Sequence, residues 1–207
     1  MYAYTMVLPT NLKPRFDSSF DIRSETFDVA GGQLPGVDDF PALVITGSSA
    51  GVYDPLPWIA PLKSFLVEAR GRTALVGVCF GHQVMAEAFG GQVIKSPKGW
   101  GVGLHSYDVR TARPWMDGVG TFKAPASHQD QVVAAPPGAE VVAGSEFTPF
   151  GMLDYGSDRA ISLQLHPEFE PAYARALIDL GYADTLGRRD EVRRQGPTRC
   201  GDRRSPR

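Results

Sequence analysis

Two uninterrupted apolar runs dominate the first half of the chain, at residues 42–46 (ALVIT) and 73–78 (TALVGV). Runs of this length without alternation predict strands that are covered on both faces of a sheet. Between them, residues 57–70 (PWIAPLKSFLVEAR) place apolar side chains at helical spacing, which predicts a helix that ends at Gly71. A second, short helix is predicted at 81–89, directly after the second run.

Shorter stretches of strand-like sequence fill the rest of the chain. One is predicted at 25–29, and the second half is predicted to contain several more. These lie at 92–95, 102–110, 122–124, 131–134, 140–143, 150–154 and 160–165. A last helix is predicted at 171–180. The alternation of strands and helices indicates an α/β domain of three layers, with antiparallel additions in its second half.

Length and composition bound the class of protein. The chain has 207 residues, of which 43% are hydrophobic and 21% charged, as is typical of one soluble globular domain. Its formal net charge of −2 argues against a polyanionic partner such as nucleic acid. The charge is uneven, since residues 187–207 carry eight arginines against three acidic side chains. Such a tail could contact nucleic acid, but a solvated, disordered basic tail at 182–207 is the favoured interpretation.

The cysteines and the apolar segments bear on location. Cys79 and Cys200 are too few for a disulfide framework or a zinc site, which favours a reducing compartment. Residues 1–16 contain no apolar stretch long enough for a secretory leader, and nothing in the chain approaches a membrane span. The sequence predicts a cytoplasmic protein without a membrane partner, a metal or another cofactor.

Residues 77–83 (GVCFGHQ) hold the first candidate for chemistry. Cys79 lies where a buried strand is predicted to end and a helix to begin, and Gly77 and Gly81 allow a tight turn and close backbone approaches there. The free N–H groups and partial positive charge of a helix N-terminus lower the pKa of a thiol and stabilise an oxyanion. On this stretch alone, Cys79 is either a nucleophile or a small buried apolar residue.

A second candidate lies at residues 164–168 (QLHPE). His166 stands at the carboxyl end of a predicted strand, on the sheet edge where Cys79 is also expected and where α/β proteins bind ligands. Pro167 favours an extended backbone, so that Glu168 projects to the same side as His166 and can fix its tautomer. A nucleophile, a base and an orienting carboxylate would then meet. Taken alone, the His–Glu pair is also compatible with a structural role.

In this order, GVCFGHQ and QLHPE resemble the two signature motifs of the class I glutamine amidotransferase family. More narrowly, the chain is similar to stand-alone members that are like the amidotransferase domain of GMP synthetase. Further matching stretches are TGSSAGVYD (46–54), KSPKGWGVG (95–103) and SHQDQV (127–132). The resemblance implies a flavodoxin-like domain with a central, mostly parallel sheet, which we assign to residues 25–181.

The resemblance also implies catalytic roles. Cys79 would attack the side-chain amide carbon of glutamine to give a γ-glutamyl thioester. His166 would transfer the protons, and Glu168 would orient His166.

An oxyanion hole and a substrate pocket are implied in the same way. The oxyanion would face the backbone N–H of Phe80 and a second N–H from the Gly47–Ser48 turn. The family usually has two glycines at this turn, so Ser48 fits provided that its φ is ordinary. The glutamine pocket, lined largely by backbone groups, would be formed by Gln83, Ser127, His128 and Gln129.

The remaining histidines are assigned lesser roles. His82 follows the nucleophile in the predicted helix and is expected to pack or cap. His105, in an alternating strand, is expected to be structural, and His128 lines the pocket without an implied titration.

Both ends of the chain depart from the family pattern. Residues 2–8 are interpreted as the end of a helix, which leaves 1–24 without the first strand that is central in a flavodoxin-like order. Its absence predicts a slot in the sheet with unpaired backbone groups, a costly arrangement. We interpret the divergent 1–24 and the basic tail as the result of a misassigned start and a shifted reading frame.

Three functions follow as alternatives. The first is a glutaminase domain that makes ammonia for a separate acceptor, such as a synthetase subunit, because the chain contains no ATP-binding motif. The second is a γ-glutamyl peptidase or hydrolase that uses the same triad. The third is a non-catalytic scaffold, which the missing first strand would favour.

Overall fold

The structure, a computed structural model, describes residues 5–7 and 25–178. It divides into two compact units, residues 1–167 and 168–207, which are described separately. The first unit contains β1 (Thr5–Val7), β2 (Thr26–Asp28), β3 (Ala42–Ile45), α1 (Ile59–Ala69), β4 (Ala74–Val78), α2 (Phe80–Ala88), β5 (Gln92–Lys95), β6 (Gly101–Val109), β7 (Thr121–His128), β8 (Asp130–Ala134), β9 (Glu140–Gly144), β10 (Met152–Asp154) and β11 (Ala160–Leu163). The second unit contains α3 (Pro171–Leu177).

Nine strands of the first unit form one mixed sheet, in the order β2-β1-β3-β4-β11-β10-β9-β6-β7, and β5 pairs with β8 in a separate ribbon. Parallel pairing joins β4 to β3 and to β11, and the other described neighbours in the large sheet run antiparallel. The predicted α/β class and the antiparallel additions are confirmed. Parallel pairing is limited to three strands, because short turns connect most strands of the second half and only a crossover can join parallel neighbours.

The start of the chain differs from its prediction. The backbone of Thr5–Val7 is a strand and not the end of a helix, and β1 lies between β2 and β3, antiparallel to both. A gap here would leave the facing backbone groups of β2 and β3 without partners, which is costly inside a sheet. The predicted empty slot is therefore occupied.

The two helices of the first unit end close to where the sequence predicts. Gly71 follows α1 with φ +75° and Gly90 follows α2 with φ +96°, left-handed angles at which glycine commonly ends a helix. α1 and α2 pack against each other, and each fully buried leucine of α1 contributes about 1.5–3 kcal/mol to folding. The two α-helices described in the first unit do not by themselves make three layers, which therefore stay a prediction. No described helix is both long and apolar enough to cross a membrane.

β7 is longer than the predicted strand at 122–124. Pro125 interrupts the strand-like pattern because proline has no N–H to donate to a ladder. β7 stands last in the sheet order, and proline is tolerated on such an edge strand. The extension of β7 brings Ser127 and His128 to the end of a strand.

Several predictions fall outside the described residues. They concern residues 8–24, the last helix beyond 178 and the basic tail at 182–207.

Candidate active site

Cys79 forms a strained elbow between β4 and α2. Its backbone adopts φ 54° and ψ −103°, and it is one of three non-glycine residues with positive φ in the described part of the chain. Such a conformation costs on the order of 1–3 kcal/mol and persists only where the surroundings enforce it. One enforcing contact is the Cys79 N–H, which donates to the Leu163 carbonyl at 2.8 Å. The elbow holds the thiol at the N-terminus of α2.

The two glycines around Cys79 allow this elbow to close. A β-carbon on Gly81 would lie 2.0 Å from the carbonyl oxygen of Ile45, and one on Gly77 would lie 2.6 Å from the backbone of Gly81. Contacts this short with backbone atoms cannot be relieved by a rotamer change. The sequence therefore keeps glycine at both positions, as the close-approach argument predicts.

His166 lies on the same side of the fold as Cys79. A β-carbon built on Gly47 would lie 3.5 Å from His166 Cε1 and 3.6 Å from Cys79 Cβ. One point above Gly47 is thus in van der Waals range of both side chains. His166 is buried, and its backbone N–H donates to the Pro125 carbonyl at 2.9 Å. The nucleophile, the base and the glycine turn of the predicted site are brought together.

Glu168 is the first residue of the second unit. Its side chain is exposed in the described structure. The role of Glu168 in orienting His166 therefore stays a prediction.

The backbone around the predicted oxyanion site has ordinary geometry. Neither Gly47 nor Ser48 has a positive φ, which is the condition under which serine can replace the second glycine. The Ser48 hydroxyl accepts a hydrogen bond from the Ala50 N–H at 2.8 Å and so stabilises the turn. Phe80 opens α2, where the first N–H groups have no acceptor within the helix. These N–H groups are suited to an oxyanion.

The first turn of α2 is tied to the segment that leads into His166. Beside the bond from Cys79 to Leu163, His82 Nδ1 lies 2.7 Å from the Ser162 hydroxyl. The Ser162 hydroxyl also lies 2.9 Å from the Tyr155 hydroxyl. The side chains of His82, Ser162 and Tyr155 are all buried. Burial lowers the pKa of His82 to about 3, with nearby His128 adding to the shift. His82 thus packs as a neutral side chain, as expected.

Gln83 makes a further link between the same two segments. Its Nε2 donates to the Asp130 carbonyl at 3.0 Å and to Gln164 Oε1 at 3.2 Å. An amide nitrogen carries two hydrogens, so both donors of Gln83 are already used inside the protein. A substrate contact from Gln83 would have to use its oxygen.

His128 is buried at the end of β7, with a partner on each ring nitrogen. Nδ1 lies 3.2 Å from the Asp130 carbonyl and Nε2 lies 3.3 Å from Thr148 Oγ1. Since a carbonyl only accepts, we assign the ring proton to Nδ1 and the hydroxyl donor to Thr148. Burial lowers the pKa of His128 to about 4, and the charge of His166 adds to this effect. His128 is therefore neutral beside the proposed base.

Ser127 and Gln129 flank His128 in the sequence, and Gln129 is hydrogen-bonded to the loop at Ser96. Gln129 Nε2 donates to the Ser96 carbonyl at 3.5 Å, and the Gln129 carbonyl accepts from the Ser96 N–H at 3.3 Å. Ser127 is half-buried on β7. Both stay predicted pocket residues.

Two polar side chains, those of Tyr53 and Tyr107, were not anticipated from the sequence. The Tyr53 hydroxyl donates to Asp130 Oδ2 at 2.9 Å, and burial raises the pKa of Asp130. This bond joins two of the stretches that resemble the family, 46–54 and 127–132. Their common resemblance was the only indication in the sequence that the two stretches lie together.

Tyr107 is the second such residue. It is fully buried, and its hydroxyl has no partner at hydrogen-bond distance among the described residues, although Thr148 is near enough to influence it. Burial raises the pKa of Tyr107 to about 12. No sequence signal distinguishes Tyr107 from any other inward residue of an alternating strand.

Comparison with known proteins finds matches over this region. Residues 37–179 match the family described as Glutamine amidotransferase class-I. A glutamine amidotransferase-like protein of Schizosaccharomyces pombe is 30% identical over 171 residues, which cover 79% of this chain and 68% of that protein. Gamma-glutamyl peptidase 3 of Arabidopsis thaliana is 29% identical, with coverage of 79% and 71%. The glutamine-hydrolysing GMP synthase of a Parafrankia species is 34% identical, with coverage of 61% and 23%.

Solved structures show the same fold. A glutamine amidotransferase from Thermotoga maritima superposes with a TM-score of 0.68 at 20% sequence identity. The match covers 78% of this chain and 71% of that one.

Proposed function

The chain belongs to the class I glutamine amidotransferase family, and we propose that it hydrolyses the γ-glutamyl amide bond of glutamine through a thioester on Cys79. The ammonia released would pass to a separate acceptor, such as a synthetase subunit. Similarity to the glutamine-hydrolysing GMP synthase of a Parafrankia species supports glutamine as the substrate.

The observation that carries the proposal is the meeting of Cys79 and His166 at Gly47. A buried thiol and an imidazole that both come within contact range of one point above Gly47 can act on the same substrate amide. A neutral His128 next to them adds no positive charge that would oppose protonation of His166.

We propose the following reaction at these residues. As the Cys79 sulfur attacks the amide carbon, its proton passes to His166 and the carbonyl electron pair moves onto oxygen, facing the N–H groups of Phe80 and the Gly47–Ser48 turn. Collapse of this intermediate breaks the C–N bond, and His166 gives its proton to the departing nitrogen. His166 then takes a proton from the water that attacks the thioester, and the C–S bond breaks as His166 returns this proton to the Cys79 sulfur and glutamate leaves. Glu168 orients His166 throughout.

A γ-glutamyl peptide is the second candidate substrate, with the same bond broken and an amine instead of ammonia released. Similarity to gamma-glutamyl peptidase 3 over 71% of that protein's length favours it. The choice between the two depends on how much room lies beyond the amide nitrogen. The scaffold alternative is weaker, because the absent first strand on which it depended is replaced by β1.

Product analysis with a matched pair of cysteine variants tests the proposal. The protein is incubated with glutamine and with γ-glutamyl dipeptides, and glutamate, ammonia and free amine are measured. We expect turnover in the wild type and in Cys200→Ser, and none in Cys79→Ser. A glutamine-analogue electrophile should label the first two proteins and leave the third unlabelled. Equal labelling of Cys79→Ser, or turnover that survives this substitution, would exclude Cys79 as the nucleophile.

A further inference from the structure

The first unit has an open groove whose lining includes Phe147, a neighbour of His128. It has a volume of about 530 Å³, within the range of small-ligand sites. Its lining combines a cation, a carboxylate, two hydroxyls and two rings, from Lys98, Glu146, Ser106, Ser145, His105 and Phe147. None of these residues has a part in the proposed chemistry.

Lys98 gives the groove a fixed positive charge. Its ammonium donates to the carbonyl of Glu146 at 2.6 Å and to the carbonyl of Phe147 at 3.2 Å. An ammonium has three donors, so these bonds hold it in place and leave one hydrogen and the full charge for a ligand. His105 adds no charge near neutral pH, because burial lowers its pKa. The groove is suited to a carboxylate.

A row of rings joins the groove to the proposed site. The centroid of Phe147 lies 5.3 Å from that of His105 and 5.9 Å from that of His128. Phe147 fits there because Gly101, the partner of His128 in the β6–β7 ladder, has no side chain: a β-carbon on Gly101 would lie 2.3 Å from the ring. His128 in turn influences the charge of His166. The groove is thus linked to His166 through Phe147 and His128.

We propose that this groove binds the carboxylate of a γ-glutamyl peptide, on the part of the substrate beyond the scissile amide. The inference rests on the proposed cleavage of γ-glutamyl amides. Glutamine has no group in that direction larger than its amide nitrogen, whereas a dipeptide beyond the amide extends about 7 Å and ends in a carboxylate. Lys98 pairs with that carboxylate, the Phe147 ring packs on the peptide, and Glu146 accepts from a peptide N–H.

Matched substrates and charge variants test the groove. γ-Glutamyl-alanyl-glycine is compared as the free acid and as its C-terminal amide, with glutamine as the short substrate. In Lys98→Gln, we expect KM for the free acid to rise about three- to fivefold with kcat unchanged. KM for the amide and for glutamine should stay the same, which also shows that the fold is intact. Lys98→Glu should make the amide the better substrate.

Arg72→Gln is the control variant, because Arg72 is an exposed cation paired with Asp38 and Glu68, away from the groove lining. It should leave all three KM values unchanged. Equal increases of KM for glutamine and for the free acid in Lys98→Gln would overturn the inference, as would equal behaviour of acid and amide.

Failure of the proposed hydrolysis is separated from failure of the groove by calorimetry on Cys79→Ser, which needs no turnover. If no substrate is cleaved but the free acid binds Cys79→Ser more tightly than Cys79→Ser/Lys98→Gln, the groove stands without the proposed function. Equal binding to both proteins would overturn the groove itself.

Discussion

Gly81 approaches Ile45 so closely that a β-carbon on Gly81 would lie 2.0 Å from the Ile45 carbonyl oxygen. This contact seats the N-terminus of α2 against β3 and fixes the height of the cysteine elbow. Gly81→Ala should therefore push α2 away from the sheet and lower the free energy of unfolding by about 1–3 kcal/mol or more. Urea unfolding measures the change.

The matched control for Gly81→Ala is Gly120→Ala. Apart from Gly120 and its two chain neighbours, no heavy atom of the described residues lies within 4 Å of a β-carbon at Gly120, and its φ is not positive. The control should unfold like the wild type. Equal stability of Gly81→Ala and Gly120→Ala would show that the close approach does not constrain α2.

Cys79 should display a conflict between stability and catalysis. Its φ of 54° is unfavourable for any side chain but free of strain for glycine. Cys79→Gly should be inactive yet more stable than Cys79→Ala, by about 1 kcal/mol. Thermal unfolding of the two inactive variants makes the comparison. Alanine as the more stable of the two would mean that the elbow stores no backbone strain.

Gly47→Ala should lower activity and leave stability nearly unchanged. The added β-carbon would lie at ordinary contact distances, 3.5 Å and 3.6 Å, from His166 and Cys79, and the φ of Gly47 is not positive. The fold should accept it, but the methyl group would occupy the space of the substrate carbonyl. We expect activity to fall about a hundredfold at nearly unchanged stability. Ser48→Ala, which keeps the backbone N–H, should retain most activity.

Stability should decrease in mild acid because of two buried histidines. The pKa of His82 is lowered to about 3 and that of His128 to about 4, whereas unfolded histidines titrate near 6.5. Between those values the unfolded chain binds more protons than the folded one, so this contribution is complete above pH 6.5 and is lost as the pH falls. Each histidine contributes a slope of up to about 1.4 kcal/mol per pH unit.

Urea unfolding between pH 7.5 and 4.5 measures this slope. His82→Gln should flatten it, whatever its effect on stability at pH 7.5. His105→Gln is the comparison, since His105 is only half-buried and should change the slope less. An unchanged slope in His82→Gln would contradict the neutral, buried state of His82.

The sequence predicted the parts of the fold that depend on local pattern. The runs at 42–46 and 73–78 correspond to β3 and β4, and Gly71 and Gly90 stand just past the helices they end. The convergence of Cys79 and His166 also followed, because the ends of parallel strands share a sheet edge.

Other features depend on partners distant in the chain, so no local pattern encodes them. Residues 5–7 were misinterpreted as part of a helix end. So short a segment is a strand only because it pairs with β2 and β3. The use of both Gln83 donors by Asp130 and Gln164 depends on how two loops meet. The groove at Lys98 is likewise formed by segments almost fifty residues apart.

The contact between Pro125 and His166 has a second effect, on how this protein meets other copies of itself. An outermost strand normally offers a row of free donors and acceptors to which a neighbouring molecule can add, and this is a common start of aggregation. On β7, Pro125 has no hydrogen to offer, and its carbonyl is occupied by the backbone of His166. The residue that would activate the thiol thereby also shields the sheet from intermolecular growth at that point.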